Sequence, residues 1–264
     1  MMPELGRIGP FVIRSYTLLL DLAILTSLGL LAWQGWRRGK RPVDWLDAGL
    51  AALVGGLLLG RAVHVAVHWA YFEGHLGEAA QLWRGGIDWH GALAGGLAGV
   101  VVYCRALPLS FRQVSDTLAL LLPIGALLAF GGCLLSSCSY GREVMTLADY
   151  PPPLALELPD VYGVVSPRLA SQVYGLVLST VVLIAALVLT RLVRREGVRF
   201  WIVLALLGGG VFAIGFTRGD PIPMLGSLRL DQMLDLLIAG AGIMGAVIAS
   251  LPSPPGLPTA PPAG

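Results

Sequence analysis

Long apolar segments, separated by short polar connections, are the feature that most limits how this 264-residue chain can fold. A helix needs about 20 apolar residues to cross the hydrocarbon core of a bilayer. Charged residues make up only 13% of the chain, about half the share that is usual in soluble proteins. We therefore predict an all-α, polytopic integral membrane protein with about seven transmembrane helices, at approximately 16–33, 45–71, 90–103, 114–135, 170–190, 200–216 and 230–251.

The basic residues of the connections predict how these helices are oriented. Arginine and lysine cluster in 37–41, 105–112 and 191–199, which are alternate connections between the predicted spans. Because basic loops favour the cytoplasmic side, we expect the N-terminus outside and the C-terminus in the cytoplasm. The polar run 83–91, the end of the fourth span and Arg218 then share the outer side.

The same pattern predicts the domain organisation. Residues 1–251 are expected to form a single transmembrane helical domain, with a proline-rich extracytoplasmic loop at about 136–169. The proline-rich tail, 252–264, is expected to be disordered. The net charge of +2 is too small to indicate a nucleic-acid partner, so none is predicted.

Several ionisable residues fall inside or near the predicted spans, where a charge costs about 2.5–3.5 kcal/mol on insertion scales. They are Asp21, Arg61, His64, His68, Asp116 and Asp235. Structural roles are predicted for Asp21, His68 and Asp235, whereas Arg61 and Asp116 either pair between helices or act separately. The two histidines of the second span share one helix face, but without an acidic ligand they do not indicate a metal site.

The three cysteines are predicted to be structural. Cys104 lies in an apolar run, where a thiol behaves as a small hydrophobic group. Cys133 and Cys138 are five positions apart, which is not a zinc-ligand spacing. Plain packing is the prediction for this pair, and the alternatives are a disulfide bond or a second nucleophilic or redox element.

One glycine-rich polar run resembles the signature of a known family. It reads Trp83-Arg84-Gly85-Gly86-Ile87-Asp88-Trp89-His90-Gly91 and is similar to the tryptophan–glycine-glycine–aromatic–histidine-glycine motif of prolipoprotein diacylglyceryl transferases. Other segments resemble the same family in the same order. They are Ile8-Gly9-Pro10 followed by Tyr16, Gly60-Arg61, 111–116, Pro123-Ile124-Gly125, Gly141-Arg142, Ser171-Gln172-Val173-Tyr174 and Asp231-Gln232-Met233. The likeness covers about 8–250.

The resemblance implies a reaction, its substrates and its location. The family moves the diacylglyceryl group of phosphatidylglycerol onto the lipobox cysteine thiol of a preprolipoprotein signal peptide, which is a step of lipoprotein biosynthesis. It acts at the outer face of the bacterial inner membrane, where the lipid enters sideways from the bilayer. The family uses no metal and no nucleotide, so no cofactor is expected.

The resemblance also implies roles for particular residues. His90 would be the base that helps to deprotonate the thiol, Arg142 would hold the phosphate and Tyr16 would orient it. The implied substrate-binding residues are Arg61, Trp83, Gly91, Asp116, Gly141, Gln172, Tyr174 and Arg218. Packing and interhelical hydrogen bonds are the alternative roles for Asp116, Gln172 and Tyr174.

Five positions depart from the family pattern. Phe130, Cys133 and Cys138 stand where the family signature has an arginine, an asparagine and a glutamate. Val211 and Gly215 stand where its sixth helix has an arginine and a glutamate. Two further classes of function therefore stay open beside the transferase. One is a related membrane enzyme that acts on another phospholipid or acceptor, and the other is a non-catalytic relative that binds lipid or a partner helix.

Overall fold

The structure is a computed structural model that describes residues 3–9 and 11–251. Its helices in chain order are α1 Ser15–Arg37, α2 Pro42–Val67, α3 Trp69–Phe72, α4 Leu76–Ala79, α5 Trp89–Ala106, α6 Phe111–Ser136, α7 Ser171–Leu192, α8 Val198–Gly215 and α9 Leu230–Ser250. The seven long helices in the described part of the chain lie where the apolar segments predict them. The tail 252–264, which is predicted to be disordered, lies outside the described residues.

Six of the long helices, all except α5, are long and apolar enough to cross a bilayer. This finding confirms the prediction of a mostly helical, multi-pass membrane protein. Helix α5 has 18 residues, but it opens with Trp89-His90 and ends with Arg105-Ala106, which leaves a shorter apolar section. The count of seven spans and the orientation therefore stay predictions.

The connections between the helices contain short strands that the sequence analysis did not predict, and the described residues form three antiparallel hairpins there. Their strands are β1 Glu4–Ile8, β2 Phe11–Arg14, β3 Ala155–Pro159, β4 Val165–Leu169, β5 Met224–Leu225 and β6 Leu228–Arg229. The β3–β4 turn is closed by Asp160, whose carboxylate accepts the N–H groups of Tyr162 and Val164. Hairpins form here because backbone polar groups outside the helices also need hydrogen-bond partners.

Small residues allow the helices to approach closely. Helix α2 packs along α5, where a side chain at Gly91 would meet the carbonyl oxygen of Leu59 at 2.7 Å. Helix α1 packs on α2 and α6, α6 packs on α7 and α8, and α8 packs on α9. Residues of α1, α5, α6, α8 and α9 surround the cavity that is described below.

A buried ion pair ties the starts of α6 and α8 together. The carboxylate of Asp116 accepts a hydrogen bond of 2.6 Å from Nη2 of Arg199 and one of 3.0 Å from the N–H of Gly197. Apolar residues around Phe200 and Trp45 form the buried core clusters near this end of the bundle. This arrangement fixes one end of the bundle and leaves the other end for the polar residues of the site.

Candidate active site

Arg61 of α2 organises the loop that leads into α5. Arg61 is buried, and its guanidinium donates to four backbone carbonyls. The acceptors are the oxygens of Glu78 at 2.7 Å, Ala79 at 2.8 Å, Gly86 at 3.0 Å and Gly85. Because a guanidinium presents its N–H donors in one rigid plane, this residue holds the loop and sets where α5 begins. Asp116 pairs with Arg199 instead, so Arg61 and Asp116 have separate roles.

His90, the second residue of α5, lies between two carboxylates. Its Nε2 is 3.1 Å from Oδ1 of Asp235 on α9, and its Nδ1 is 3.3 Å from Oδ1 of Asp88. The exposed fractions of His90 and Asp235 are 7% and 2%. The ring of Trp89 lies against the imidazole, with 4.1 Å between the ring centroids. Contacts from two helices and one loop therefore fix the position of the ring.

Asp88 connects this histidine to the start of its own helix. Its carboxylate caps α5 by accepting the N–H of Gly91 at 2.9 Å. Burial alone would raise the pKa of Asp88, but its hydrogen bonds with His90 and Gly91 outweigh that effect and hold the pKa below its usual range. Asp88 is thus ionised at neutral pH and faces the imidazole as an anion.

A second ionic cluster lies between the end of α8 and the start of α9. Arg218 is 2.6 Å from Asp220 and 3.1 Å from Asp231, and Arg229 is 3.3 Å and 3.0 Å from the same two carboxylates. Burial alone would lower the pKa of Arg229, whereas the hydrogen bond with Asp231 and the charge of Asp220 raise the pKa above its usual value. Two positive and two negative groups balance one another, so the charge of Arg218 is compensated.

A cavity of about 400 Å³ opens beside these clusters. Its polar wall includes Tyr16, Ser139 and Arg218, and its other lining residues include Trp89 next to His90. Three of the positions that depart from the family pattern, Phe130, Cys133 and Val211, also line it. A second, mainly apolar cavity of about 330 Å³ between α1, α2, α5 and α6 shares the walls Leu93, Leu121 and Leu122 with the first. A few polar groups at the edge of an apolar space are typical of a ligand site.

The prediction of plain packing for Cys133 and Cys138 was wrong, because the two form a disulfide bond. Helix α6 ends in a left-handed turn, with a φ of 61° at Ser137 and 51° at Ser139. This turn brings the two cysteine Cα atoms to 4.5 Å, within the range for a disulfide. The side-chain amide of Gln172 donates to the carbonyl oxygen of Cys138 at 3.0 Å, which ties the turn to α7.

The segment that follows the disulfide runs beside Arg218. Gly141 pairs with Arg218 as an isolated antiparallel bridge, and the N–H of Arg142 donates to the carbonyl of Thr217 at 2.9 Å. Gly141 is buried against the carbonyl of Leu169, which leaves no room for a side chain. The side chain of Arg142 is exposed. Because residue 141 has no side chain, its backbone can lie close to that of Leu169, and Arg142 is then next to Arg218.

The structure brings only some of the predicted site residues together. Tyr16 and Arg218 line the cavity, whereas Asp116 lies about 25 Å along α6 from the disulfide, at about 1.5 Å per residue. Tyr174 donates its hydroxyl hydrogen to the carbonyl of Leu154 in the connection between α6 and α7. Trp83 is 81% exposed. Whether these residues bind substrate stays a prediction.

Sequence reasoning did not assign a site role to several residues that the structure places here. They are Asp88, Trp89, Ser139, Asp220, Asp231 and Asp235. A carboxylate within an apolar span was the available signal for Asp235, but the sequence does not say which helix it faces. Asp88 stands only two residues before His90, and this short spacing could have been used to predict that the two side chains interact.

The fold and the site define a class of protein: a multi-pass helical membrane protein whose polar residues meet at a mainly apolar cavity near one end of the bundle. The family model described as "prolipoprotein diacylglyceryl transferase" matches residues 3–248. The chain belongs to the prolipoprotein diacylglyceryl transferase family.

Curated relatives match nearly the whole chain. A protein of Rhodospirillum rubrum is 32% identical over 97% of this chain and 95% of its own length. Proteins of Acaryochloris marina and Bacillus licheniformis are 29% and 25% identical, over 92% and 89% of this chain and 89% and 88% of their own lengths. All three are named phosphatidylglycerol–prolipoprotein diacylglyceryl transferase. The family resemblance inferred from the motifs is therefore confirmed.

Proposed function

We propose that this protein transfers the diacylglyceryl group of phosphatidylglycerol to the lipobox cysteine thiol of a preprolipoprotein. Family membership and the names of the relatives support this reaction. The observation that carries the proposal is the cavity, which places Tyr16, Ser139 and Arg218 at its edge and shares walls with a second apolar cavity. A lipid with a polar headgroup and two acyl chains needs a space of this kind.

The reaction needs a proton acceptor because a free thiol has a pKa of about 8.5. In the proposed step, the thiol gives its proton to His90, and the sulfur forms a bond to the glyceryl carbon. The bond between that carbon and the phosphate oxygen breaks, and glycerol phosphate leaves with the electron pair. His90 suits this role because it is fixed by Asp88 and Asp235 next to Trp89 of the cavity wall.

Positive groups would hold the departing phosphate. Arg218 lies in the cavity wall, but its N–H donors face Asp220 and Asp231, so a phosphate would compete with two carboxylates for it. Arg142 is exposed and lies beside Arg218, which makes it the more available of the two cations. Tyr16 would orient the headgroup from α1. No metal and no nucleotide takes part in this proposed reaction.

Most of the remaining predicted site residues would act indirectly, by holding the segments around the cavity in place. Arg61 holds the loop before α5, Gly91 permits the contact between α2 and α5, and Gly141 carries Arg142. Gln172 holds the disulfide turn. Trp83 is exposed enough to contact the lipid headgroups or the signal peptide at the membrane surface.

We further propose that the chain spans the bacterial inner membrane seven times, with α5 as the third span, the N-terminus outside and residues through 251 in one domain. The basic connections support this orientation. The disulfide at the end of α6 supports it independently, because disulfides persist in oxidising compartments such as the periplasm. In this orientation the loop at 136–169, which includes the β3–β4 hairpin, lies outside the cytoplasm.

Complementation of a bacterial strain depleted of its native transferase tests the proposed function. The full chain should restore growth and lipid modification of a reporter prolipoprotein, whereas His90→Ala and Arg142→Ala should not. His68→Ala is the matched control, because His68 follows α2 and its ring contacts the backbone carbonyl of His64 in that helix. Failure of the wild-type chain to rescue, although it is inserted in the membrane at normal levels, would contradict the proposal.

A purified assay extends this test to the lipid donor. The protein in detergent should convert a lipobox peptide to its thioether with phosphatidylglycerol and release glycerol phosphate. Phosphatidylethanolamine is the comparison lipid, and a lipobox peptide with serine in place of cysteine is the acceptor control. A faster reaction with phosphatidylethanolamine would contradict phosphatidylglycerol as the donor and indicate another phospholipid.

A further inference from the structure

Two carboxylates from different parts of the chain hold one imidazole in the candidate site. Oδ1 of Asp235 lies 3.1 Å from Nε2 of His90, and Oδ1 of Asp88 lies 3.3 Å from Nδ1. Asp235 and His90 are 145 positions apart in the chain. Removing an ionised carboxylate from water costs several kcal/mol unless hydrogen bonds compensate it. The contact with His90 supplies such a bond to a side chain that is almost completely buried.

The two sides of the imidazole differ in their access to the surroundings. The side chain of Asp235 is 3% exposed, whereas that of Asp88 is 23% exposed. Asp88 is also shared with the N–H of Gly91, and its contact to the ring is the longer of the two. The Nε2 side is therefore closed by Asp235, and the Nδ1 side is the one on which an incoming group can replace a partner.

Helix α9 supplies this carboxylate at a place where α8 lacks one. Gly215 of α8 stands where the family resemblance expects a glutamate. A side chain at Gly215 would overlap that of Gln232, which is buried and fills this space from α9. Gln232 and Asp235 are three positions apart and so lie on one face of α9. The same helix face that occupies the position beside Gly215 also carries the acid that contacts His90.

We infer that Asp235 is a positioning residue for the transfer reaction, an inference that rests on the proposed function. Asp235 accepts the Nε2–H of His90, so that in the neutral ring the lone pair is on Nδ1. A neutral Nδ1 has no hydrogen to donate to the Asp88 carboxylate, and the substrate thiol takes the place of Asp88 as its partner. The substrate thiol gives its proton to Nδ1 on the side of Asp88, and its sulfur bonds to the glyceryl carbon as the carbon–oxygen bond breaks. Asp235 does not take up this proton, since its role is to fix the tautomer and the direction of the ring.

Kinetics of the purified full chain test this role. Asp235→Asn keeps the shape of the side chain but removes its charge and lets its amide donate to Nε2, which would favour the wrong tautomer. We expect kcat to fall about 10²-fold or more, with KM within about threefold of wild type. Asp235→Glu should recover at least about a tenth of the wild-type kcat, because it keeps a carboxylate. Asp47→Asn is the control, a carboxylate at the start of α2 near the Tyr103 hydroxyl.

A spectroscopic measurement separates this inference from the proposed function. The chain has four histidines, so ¹⁵N-histidine labelling gives few imidazole signals. The hydrogen-bonded Nε2–H signal of His90, assigned with His90→Gln, should be present in wild type and in Asp47→Asn and should be lost in Asp235→Asn. An unchanged signal in Asp235→Asn overturns the inference, as does a kcat within twofold of wild type. A wild-type chain without transfer activity would sink the proposed function, and the signal would still decide whether Asp235 holds the ring.

Discussion

Asp116 and Asp235 are both carboxylates buried in apolar helices, but their surroundings differ. Asp116 accepts a 2.6 Å hydrogen bond from Arg199 and a 3.0 Å bond from a backbone N–H, next to the apolar core. Asp235 contacts the imidazole of His90 near a cavity. The first pair brings opposite charges together and joins two helices. The contact of Asp235 is with an imidazole, which can gain or lose a proton. Of the two contacts, only this one includes a group that can act as a base near neutral pH.

This difference teaches that a buried charge in a membrane helix has to be judged by its partner and by the space beside it. An arginine in an ion pair stays charged under all ordinary conditions. A histidine changes charge near neutral pH. The Asp116 end therefore joins two helices of the bundle, and the His90 end holds the imidazole that we propose takes up a proton.

Replacing His90 should have the largest effect. It tests whether the Asp235–His90 contact, unlike the Asp116–Arg199 pair, takes part in the reaction. His90→Gln is expected to lower kcat about 10³-fold, equal to about 4 kcal/mol, because the proton acceptor is lost. The measurement is transfer of diacylglyceryl to a lipobox peptide, with His68→Gln as the matched control. Activity of His90→Gln within threefold of wild type would remove His90 from the mechanism.

Breaking the Asp116 pair should act mainly on stability. Asp116→Ala leaves Arg199 and the N–H of Gly197 without their acceptor, and we expect the free energy of unfolding to fall by about 3–5 kcal/mol. Unfolding in detergent measures this change. The double variant Asp116→Ala with Arg199→Met should recover part of the loss, since it removes the unpaired cation. A larger loss of kcat in folded Asp116→Ala than in His90→Gln would reverse the comparison.

Removing the disulfide should have an intermediate effect, because it holds the turn between the cavity wall and Arg142. Cys133→Ser with Cys138→Ser is expected to lower the free energy of unfolding by about 2 kcal/mol, the value for a short loop. Misplacement of Arg142 should lower kcat about tenfold. Cys104→Ser controls for the loss of a cysteine, since Cys104 is a free thiol. Equal activity of the double variant and wild type would show that the turn holds its shape without the bond.

The smallest effect is expected at the exposed edge of the site. Trp83→Ala should raise KM for the peptide by about two- to threefold and leave kcat unchanged, because Trp83 is 81% exposed and few neighbours depend on it. Steady-state kinetics with vesicles as the lipid source measure both constants. A drop in kcat of tenfold or more would place Trp83 at the reacting groups instead.

The sequence was sufficient to predict the helices because their pattern is continuous. The predicted fourth span, 114–135, lies within α6 Phe111–Ser136, and the predicted seventh, 230–251, overlaps α9 Leu230–Ser250. The bilayer demands long apolar runs, which are visible in a single chain without knowledge of contacts. The motif around His90 and the terminal Gly141-Arg142 were sufficient to indicate the family, which the comparison confirms.

The connections and the disulfide were less accessible to sequence reasoning. The β3–β4 hairpin depends on the pairing of two strands across the turn at Asp160, whereas the proline-rich composition predicted an extracytoplasmic loop without naming strands. The bond between Cys133 and Cys138 depends on the left-handed turn at Ser137, where a non-glycine residue carries a positive φ. Backbone geometry of this kind follows from local packing, and the residue types alone do not disclose it.

The sequence by itself determined that the chain is a membrane-embedded helical bundle of this family, because hydropathy and local motifs are properties of neighbouring residues. Only the tertiary structure decided which buried charges meet: Asp116 with Arg199, and Asp235 with His90. An apolar helix can carry a carboxylate toward any neighbour, and helix packing selects the one that satisfies it. That selection separates the residues that hold the bundle together from those that we propose take part in the reaction.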